Sequence, residues 1–449
     1  MKKTFLSIFL SVVLLASLFS VNVGAYQISD FEIKAEGVLL SSLDTGEVIF
    51  SRNADKRFYP ASLTKIMTAL LVMENSKDLE SEIITISKSA IDSLLGTGAS
   101  MGNLKEGEEI TALQALYFLM LPSANDCANA VAEHYGGSIA GFVGMMNKRA
   151  EELGMTGTHF ANPHGLHDDE HYTTVNDMRI LTEHALKKNV FKEVVSTKRY
   201  NMPATNKSGE RTLVTTIFLQ DRYNGASPNH FYKYASGVKT GFTDEAGRCL
   251  ISTAKKNGQT YLCVLMNCPA KDAAGKNIRI EFDETKKLYE WAFNNFEYKM
   301  VVDAETPVAE AKVDLCWDHD YVTMVVEGGL SAILPKEADS STVQIKPKSE
   351  GKVYDAPIKK GQLLDTADVI YAGETLGTVN LIAGDARNAN FVLRIARAFK
   401  RALTSTAFKI VLIVVVVAIV LFALSIVMMN RNRKKRRRSR KYKGYSKYK

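Results

Sequence analysis

A serine and a lysine three residues apart are the first side chains in this 449-residue chain that could do chemistry together. Pro60 precedes Ser62 and Lys65, and the apolar spacing that follows predicts a helix. Residues three apart share a helix face, so a buried Lys65 with a lowered pKa could take the proton of the Ser62 hydroxyl. The same spacing also occurs at ordinary capped helix starts, so this motif alone does not identify a nucleophile.

Two later motifs offer partners for such a nucleophile. Ser123 and Asn125 precede an amphipathic helical pattern, where the hydroxyl could relay a proton to a leaving amine and the amide could bind a substrate peptide. Lys239, Thr240 and Gly241 follow one another and supply a cation, a donor for a carboxylate and a glycine that lets a substrate backbone approach a strand edge. Each motif alone is also compatible with a loop, a cap or a turn.

The order of the three motifs resembles that of the penicillin-interacting serine enzymes, in which S-x-x-K, S-x-N and K-T-G follow one another. The chain resembles the low-molecular-mass penicillin-binding proteins, specifically the serine-type D-alanyl-D-alanine carboxypeptidases. The stretch from Phe160 to Leu166 and the residues His171–Thr174, Asp177 and Met178 also resemble the segment between the second and third motifs of that family. The resemblance covers about residues 30–298.

The resemblance implies that Ser62 attacks the carbonyl between two D-alanines and forms an acyl-enzyme, with Lys65 as the base. Ser123 and Asn125 would complete the proton network, and water would then release a shortened stem peptide. The implied partners are peptidoglycan stem pentapeptides as substrates and β-lactams as inhibitors that acylate the same serine. No metal or organic cofactor is expected.

By the same resemblance, the substrate-binding residues are Lys239, Thr240, Gly241, Phe242, Arg279 and Arg248. Thr240 would hold the terminal carboxylate, and the backbone N–H groups of Ser62 and Phe242 would form the oxyanion hole. The family tends to carry an arginine near the substrate carboxylate. Arg279 stands at about that place, although its spacing to the following Lys-Lys-Leu is longer than expected, and Arg248 is a second candidate.

Other functions remain open at this point. A β-lactamase would need an acidic residue to activate the deacylating water, and Asp168, Asp169 and Glu170 keep that possibility open. A membrane-bound receptor for cell-wall peptides or β-lactams would also fit the apolar and basic C-terminus. The histidines cluster between residues 159 and 171, but their spacings match no standard zinc pattern, which favours loop and core roles.

The elements that must position these motifs can be read from the hydrophobic pattern. Residues 37–53 and 248–267 each predict a pair of strands around a turn, a helix-rich stretch lies between them, and a helix is predicted over 278–296. This order predicts an α/β (α+β) architecture, an antiparallel sheet covered by helices. It fits the penicillin-binding/β-lactamase-like transpeptidase fold that the resemblance implies.

The chain ends predict export and a membrane anchor. Residues 1–25 read as a signal peptide, residues 30–298 as the catalytic domain, 300–393 as a small β-rich stalk domain and 394–409 as a linker. Residues 410–429 are an uncharged run long enough to span a bilayer, and residues 430–449 form a polybasic tail. The predicted location is the cell membrane, with a single span and an extracellular catalytic domain.

Charge and cysteine usage add little about the substrate. The net charge of +8 comes from the two ends, because twelve Lys or Arg residues lie in the tail, and residues 26–430 are mildly acidic. A polybasic stop-transfer segment explains this tail, so no nucleic-acid partner is expected. The five cysteines are too sparse for a disulfide framework and are interpreted mostly as small buried hydrophobic residues, with a Cys263–Cys268 or Cys249–Cys263 bridge as a minority alternative.

Overall fold

The computed structural model describes residues 32–222, 228–339, 342–349 and 351–444. The predicted signal peptide lies outside the described residues. The chain divides into two compact units, one comprising the chain up to Lys299 together with Ala332–Ala338, and the other comprising Met300–Ser331 and Asp339–Lys449. Each unit is described by itself.

The strands of the first unit pair mainly into one antiparallel sheet. Its order is β2-β1-β11-β10-β9, and two-stranded ribbons lie outside it. The strands are β1 (Gly37–Ser42), β2 (Val48–Arg52), β3 (Arg57–Phe58), β4 (Ile83–Thr85), β5 (Glu109–Thr111), β6 (Thr173–Thr174), β7 (Arg199–Met202), β8 (Arg211–Val214), β9 (Ala235–Thr243), β10 (Gly247–Lys256) and β11 (Gln259–Cys268).

Helices cover both faces of this sheet. They are α1 (Lys65–Asn75), α2 (Lys88–Asp92), α3 (Ala112–Met120), α4 (Asn125–Gly136), α5 (Ile139–Glu152), α6 (Val175–Ala185), α7 (Asn189–Ser196) and α8 (Ile280–Asn295), with 3-10 turns at Ala61–Thr64 and Pro228–His230. Alternate sheet residues point to opposite sides, so Leu39 and Val264 join the core under α1, α3 and α4, whereas Leu40 and Leu265 pack against α8. The predicted antiparallel sheet covered by helices is confirmed.

The predicted helix start at the first motif is wrong in one detail. Ser62 lies in the 3-10 turn, and α1 begins only at Lys65. Ala61, the first residue of the turn, has a positive φ of 45°, a conformation that an α-helix does not contain. Because a 3-10 helix has three residues per turn, side chains at i and i+3 eclipse each other, and the turn therefore still brings Ser62 opposite Lys65.

The second unit is rich in strands. Its six-stranded sheet has the order β16-β18-β19-β14-β13-β17, in which β13 and β17 run parallel. The later strands of the chain are β12 (Phe296–Val302), β13 (Pro307–Asp314), β14 (Tyr321–Glu327), β15 (Leu330–Pro335), β16 (Gln344–Pro347), β17 (Val353–Asp355), β18 (Leu363–Tyr371) and β19 (Glu374–Ala383). The prediction of a β-rich domain after the helix-rich one is confirmed.

Two helices follow that sheet. The first, α9 (Phe391–Thr404), exposes an apolar stripe, and the second, α10 (Thr406–Gly444), contains the uncharged run. Among the described residues, one helix is long and apolar enough to cross a membrane, over Thr406–Lys434. The composition of that segment makes it a candidate anchor.

All five cysteines have free thiols. Cys127, Cys249, Cys263 and Cys268 are buried, whereas Cys316 is partly exposed. The interpretation of the cysteines as mostly small buried hydrophobic residues is confirmed, and neither of the two possible bridges forms.

Candidate active site

Ser62 and Lys65 form a hydrogen-bonded pair at the start of α1. The amine Nζ of Lys65 donates to the Ser62 Oγ at 3.0 Å and to the backbone carbonyl of His164 at 2.7 Å. Lys65 is completely buried, whereas Ser62 is partly exposed and lines a cleft. The arrangement therefore places a buried amine directly beneath an accessible hydroxyl.

The electrostatics of this pair favour the neutral amine. Burial lowers the pKa of Lys65 well below its usual value, and the nearby positive charge of Lys239 lowers it further. Burial also lowers the pKa of Lys239 to about 7. Because a neutral amine can accept a proton and an ammonium cannot, Lys65 is suited to act as a base near neutral pH.

The turn that carries Ser62 is held by contacts from a distant loop. His171 Nδ1 accepts from the backbone N–H of Ala161, so its Nε2–H donates to the Thr64 hydroxyl at 2.7 Å. Thr64 in turn donates to the Ala61 carbonyl at 2.8 Å. Burial lowers the pKa of His171 to about 4, which keeps the ring neutral and preserves this direction of donation.

A glycine allows that loop to approach the turn. Gly165 has a φ of 90°, and a Cβ there would stand 1.8 Å from the Ala61 carbonyl oxygen. Only glycine fits this position, because any side chain would overlap the backbone just before Ser62. The close approach also brings the His164 carbonyl within reach of Lys65.

The second motif lies across the cleft from the first, at the start of α4. Ser123 adopts a positive φ of 63°, a strained conformation for a serine, which is often retained at functional sites. The Ser123 hydroxyl and the Asn125 Oδ1 are buried and have no hydrogen-bond partner among the described residues. Both groups line the same cleft as Ser62 and are therefore available to a ligand.

The third motif lies on the edge strand β9. A Cβ on Gly241 would stand 3.0 Å from the Pro60 carbonyl and 3.3 Å from the Ser62 N, so glycine lets the strand pass close to the turn. Thr240 shares a hydrogen bond of 2.7 Å with the hydroxyl of Thr216. Lys239 is completely buried and donates to the Thr240 carbonyl at 3.1 Å.

Two arginines reach the cleft beside this strand. Arg248 on β10 pairs directly with Phe242 on β9, so their side chains share a face of the sheet, and its guanidinium lies 4.7 Å from the Phe242 ring centroid. Arg279 stands just before α8, with its guanidinium 5.0 Å from the ring of Phe218. Both arginines line the cleft, together with the buried carboxylate of Glu281.

The cleft has a volume of about 680 Å³. The structure brings most of the predicted site residues to its surface, while the two predicted lysines are buried immediately behind it. The predicted residues that line it are Ser62, Ser123, Asn125, Thr240, Gly241, Phe242, Arg248 and Arg279.

Two of the histidines contribute hydrogen bonds to the site. His171 holds the turn, and the backbone of His164 accepts from Lys65. Within the described ranges, no group of three or more His, Cys, Asp or Glu residues could hold a metal ion.

Sequence reasoning missed three contributors to the site. The His164 carbonyl contributes through its backbone, so its residue type carries no signal, although it lies in the stretch that resembled the family. Thr216 contacts Thr240 from a loop with no recognisable motif. Glu281 lies two residues beyond one of the candidate arginines and was read only as part of a helix.

Comparisons with known proteins agree with this geometry. Residues 24–270 match the D-alanyl-D-alanine carboxypeptidase family, and residues 296–389 match the family described as penicillin-binding protein 5, C-terminal domain. The chain belongs to the D-alanyl-D-alanine carboxypeptidase family of penicillin-binding serine enzymes.

Individual relatives support the same membership. The chain is 32% identical over 374 residues to the D-alanyl-D-alanine carboxypeptidase DacF of Bacillus subtilis, covering 82% of this chain and 90% of that protein. It is 29% identical to DacA of Escherichia coli over 77% of this chain and 81% of the relative. The crystal structure of penicillin binding protein 5 from Haemophilus influenzae superposes with a TM-score of 0.62 at 26% identity, covering 81% of this chain and all of that one.

A further solved structure covers a smaller share of this chain. The Streptomyces K15 DD-transpeptidase superposes with a TM-score of 0.52 at 30% identity, covering 60% of this chain and all of its own.

Proposed function

We propose that this protein is a serine D,D-carboxypeptidase that removes the terminal D-alanine from peptidoglycan stem pentapeptides through an acyl-enzyme on Ser62. The observation that carries the assignment is the hydrogen bond between the Lys65 amine and the Ser62 hydroxyl at the wall of the cleft, with the amine completely buried. Family membership supplies the substrate class.

In the first step, Ser62 Oγ attacks the carbonyl carbon of the penultimate D-alanine while Lys65 takes the hydroxyl proton. The backbone N–H groups of Ser62 and Phe242 donate to the oxygen that becomes negative. The C–N bond then breaks, and the proton reaches the leaving amine through the Ser123 hydroxyl. D-alanine departs, and the rest of the peptide remains as an ester on Ser62.

In the second step, a water molecule attacks the ester carbonyl and gives a proton to the neutral Lys65. The Ser62 oxygen leaves and recovers a proton from the same amine, so the enzyme returns to its starting state and the shortened peptide is released. The Asn125 amide binds the peptide during both steps, and its unpartnered Oδ1 is free to accept from a substrate N–H.

The free carboxylate of the substrate is recognised at the other end of the cleft. Thr240, Arg248 and Arg279 supply a hydroxyl and two guanidiniums, and the Lys239 charge adds long-range attraction. Arg248 and Thr240 share one face of neighbouring strands, diagonally placed in the register, which suits them to hold one carboxylate together.

The protein acts outside the cell and is held at the membrane. In this proposal, residues 1–25 are a cleaved signal peptide, residues 410–429 cross the bilayer once, and residues 430–449 remain in the cytoplasm. The exposed apolar surface of α10 and the density of basic residues after its uncharged run support this topology. The substrate is then the cell wall that faces the catalytic domain.

One experiment tests class and nucleophile together. The full-length protein is incubated with benzylpenicillin, and the covalent adduct is mapped by peptide mass spectrometry. We expect a single penicilloyl group on Ser62 and release of D-alanine from an acyl-D-Ala-D-Ala peptide, both absent in Ser62→Ala. Rapid turnover of penicillin without D-alanine release would indicate a β-lactamase, and penicillin binding without hydrolysis of either compound would indicate a receptor.

A further inference from the structure

A buried carboxylate lies within the cationic end of the cleft and takes no part in the chemistry described above. Glu281 is almost completely buried, and its Oε1 accepts from Arg279 Nη1 at the long distance of 3.5 Å. Its Oε2 has no hydrogen-bond partner in the described part of the chain, and the same holds for the buried Nε of Arg248. A donor and an acceptor are thus left without partners in one small region that faces the cleft.

The chain places Glu281 there through the start of α8. Arg279 is the residue that precedes the helix, and Glu281 falls in the first turn, where free backbone N–H groups favour a negative charge. Phe282, the next residue, is completely buried and fixes the orientation of this turn. The carboxylate is therefore held by the helix backbone, whereas the two arginines near it have long, flexible side chains.

The charges around Glu281 explain why Arg279 and Arg248 need an anion to stay close together. Burial lowers the pKa of Arg248, Arg279 lowers it further, as expected for two cations that repel each other, and Glu281 opposes these effects. Burial raises the pKa of Glu281, whereas both guanidiniums lower it. Without the anion, the half-exposed Arg279 would gain by turning toward solvent, away from Arg248.

We propose that Glu281 is a positioning residue that keeps Arg279 and Arg248 together at the cleft so that they can bind the terminal carboxylate of the substrate. The inference rests on the proposed function, since it assigns these arginines to that carboxylate. Glu281 sets the specificity for a free carboxylate at the end of the peptide, and it contacts neither the reacting atoms nor the acyl chain.

The test compares two substrates that differ only in this group, an acyl-D-Ala-D-Ala peptide and its C-terminal amide. Glu281→Gln preserves the shape of the side chain and removes its charge. We expect the preference for the acid over the amide to fall about tenfold in this variant, which corresponds to the loss of one charge-assisted hydrogen bond between an arginine and the substrate carboxylate. The loss should appear as a higher KM for the acid with nearly unchanged kcat.

A double-mutant cycle separates positioning from general damage. Arg279→Gln should lower the acid-over-amide preference by a similar factor, and adding Glu281→Gln to it should cause little further loss. Asp283→Asn is the matched control, because Asp283 is a half-exposed acid two residues further along α8 that pairs with His230. It should retain the wild-type preference.

The acid and amide peptides can also be compared by equilibrium binding to Ser62→Ala, with and without Glu281→Gln, where no hydrolysis takes place. The carboxypeptidase function and the positioning role of Glu281 can then fail separately. Absence of D-alanine release by the wild type would overturn the proposed function. The preference for binding the acid over the amide would still test the role of Glu281. An unchanged preference in Glu281→Gln, an equal loss for acid and amide, or additivity with Arg279→Gln would overturn the positioning role.

Discussion

Lys65 owes its reactivity to burial, because the same amine at the surface would be protonated at neutral pH. Its two hydrogen bonds direct the amine at the Ser62 hydroxyl and at the His164 carbonyl. A carbonyl oxygen accepts from the neutral amine as well as from the ammonium, so this contact orients Lys65 in both protonation states. The activation of the serine therefore depends on an amine that is held in place by the His164 carbonyl.

Replacing Lys65 by alanine should abolish most of the acylation of Ser62. Loss of a general base typically costs between a hundredfold and ten-thousandfold in rate, so we expect the second-order rate constant for penicillin acylation to fall about a thousandfold. The measurement is adduct formation over time by intact mass. Thermal unfolding of the variant should remain cooperative, and acylation at the wild-type rate would contradict the assignment of Lys65 as the base.

The charge of Lys239 should influence the pH dependence of acylation. Below its pKa of about 7, Lys239 is positive and lowers the pKa of Lys65, which keeps more of Lys65 neutral. Removing the charge in Lys239→Gln should raise the pKa of Lys65 and move the rising limb of the rate profile to higher pH. The ratio of wild-type to variant acylation rates should therefore be larger at pH 6 than at pH 9, and a constant ratio would argue against this coupling.

At the residue scale, the sequence predicted which residues form the candidate site better than which groups contact them. The order of the three motifs was enough to nominate Ser62, Lys65 and Lys239, because the residue types and their order along the chain can be read directly from the sequence. The partners that are contributed by backbone atoms, such as the His164 carbonyl, could not be predicted in this way. The role of Glu281 depends on which side chains the fold brings beside it, and no local pattern encodes that.

The 3-10 turn at Ala61–Thr64 is the element on which the site depends most directly. It is held on one side by β9 near Gly241 and on the other by the loop that contains Gly165. Both contacts involve backbone atoms at distances that a side chain would disturb. The nucleophile is thus positioned by close packing of three chain segments that are far apart in sequence.

Gly165→Ala should disturb this packing more than an ordinary substitution at a positive φ. A Cβ at Gly165 would overlap the Ala61 carbonyl oxygen, whereas at Gly154, with a φ of 77°, a Cβ would meet nothing within 4 Å. We expect Gly154→Ala to cost about 1 to 2 kcal/mol from backbone strain alone, and Gly165→Ala to cost about 3 kcal/mol or more.

Thermal unfolding and penicillin acylation, measured on both alanine variants, provide the readout. Gly154→Ala should acylate at close to the wild-type rate, because its strain is remote from the turn. Gly165→Ala should lose acylation as well as stability, since the displaced Ala61 carries Ser62 with it. Equal effects of the two substitutions would mean that the contact with Ala61 does not position the nucleophile.

The sequence predicted the strand pairs well and the turn poorly, for a physical reason. Alternating apolar residues around Asn257 and Gly258 specify the β10–β11 hairpin locally, and the structure pairs these strands as expected. The turn before α1 depends instead on the positive φ of Ala61, which is imposed by tertiary contacts. Local propensity after a proline favours an ordinary helix start, and tertiary packing overrides it.

On the scale of the whole molecule, the residues assigned to catalysis and binding all belong to the first unit, whereas the candidate anchor belongs to the second. The helix α9 precedes the apolar span and exposes an apolar stripe made of Phe391, Val392, Ile395, Phe399 and Leu403. Its other face is basic, and Arg397 there pairs with Asp314 and Asp355 of the β-rich sheet. A helix of this kind is suited to lie at a membrane surface.

Stepwise truncation should separate the span from this surface helix. The full chain should remain in the membrane at high salt if, as proposed, residues 410–429 of α10 span the bilayer. A chain that ends at Ser405 should still bind vesicles that contain anionic lipid, weakly and less at high salt, through α9. A chain that ends at Ala389 should not bind. Vesicle sedimentation at low and high salt measures all three.

The same three chains should hydrolyse a soluble acyl-D-Ala-D-Ala peptide with similar kcat/KM, because the cleft is complete within the first unit. Phe399→Glu in the chain that ends at Ser405 provides the matched control: it places a charge in the apolar stripe and should remove vesicle binding without changing hydrolysis. Vesicle binding by the chain that ends at Ala389 would mean that a part of the chain other than α9 and α10 contacts the membrane. A large loss of hydrolysis on truncation would mean that the C-terminal segments contribute to the cleft.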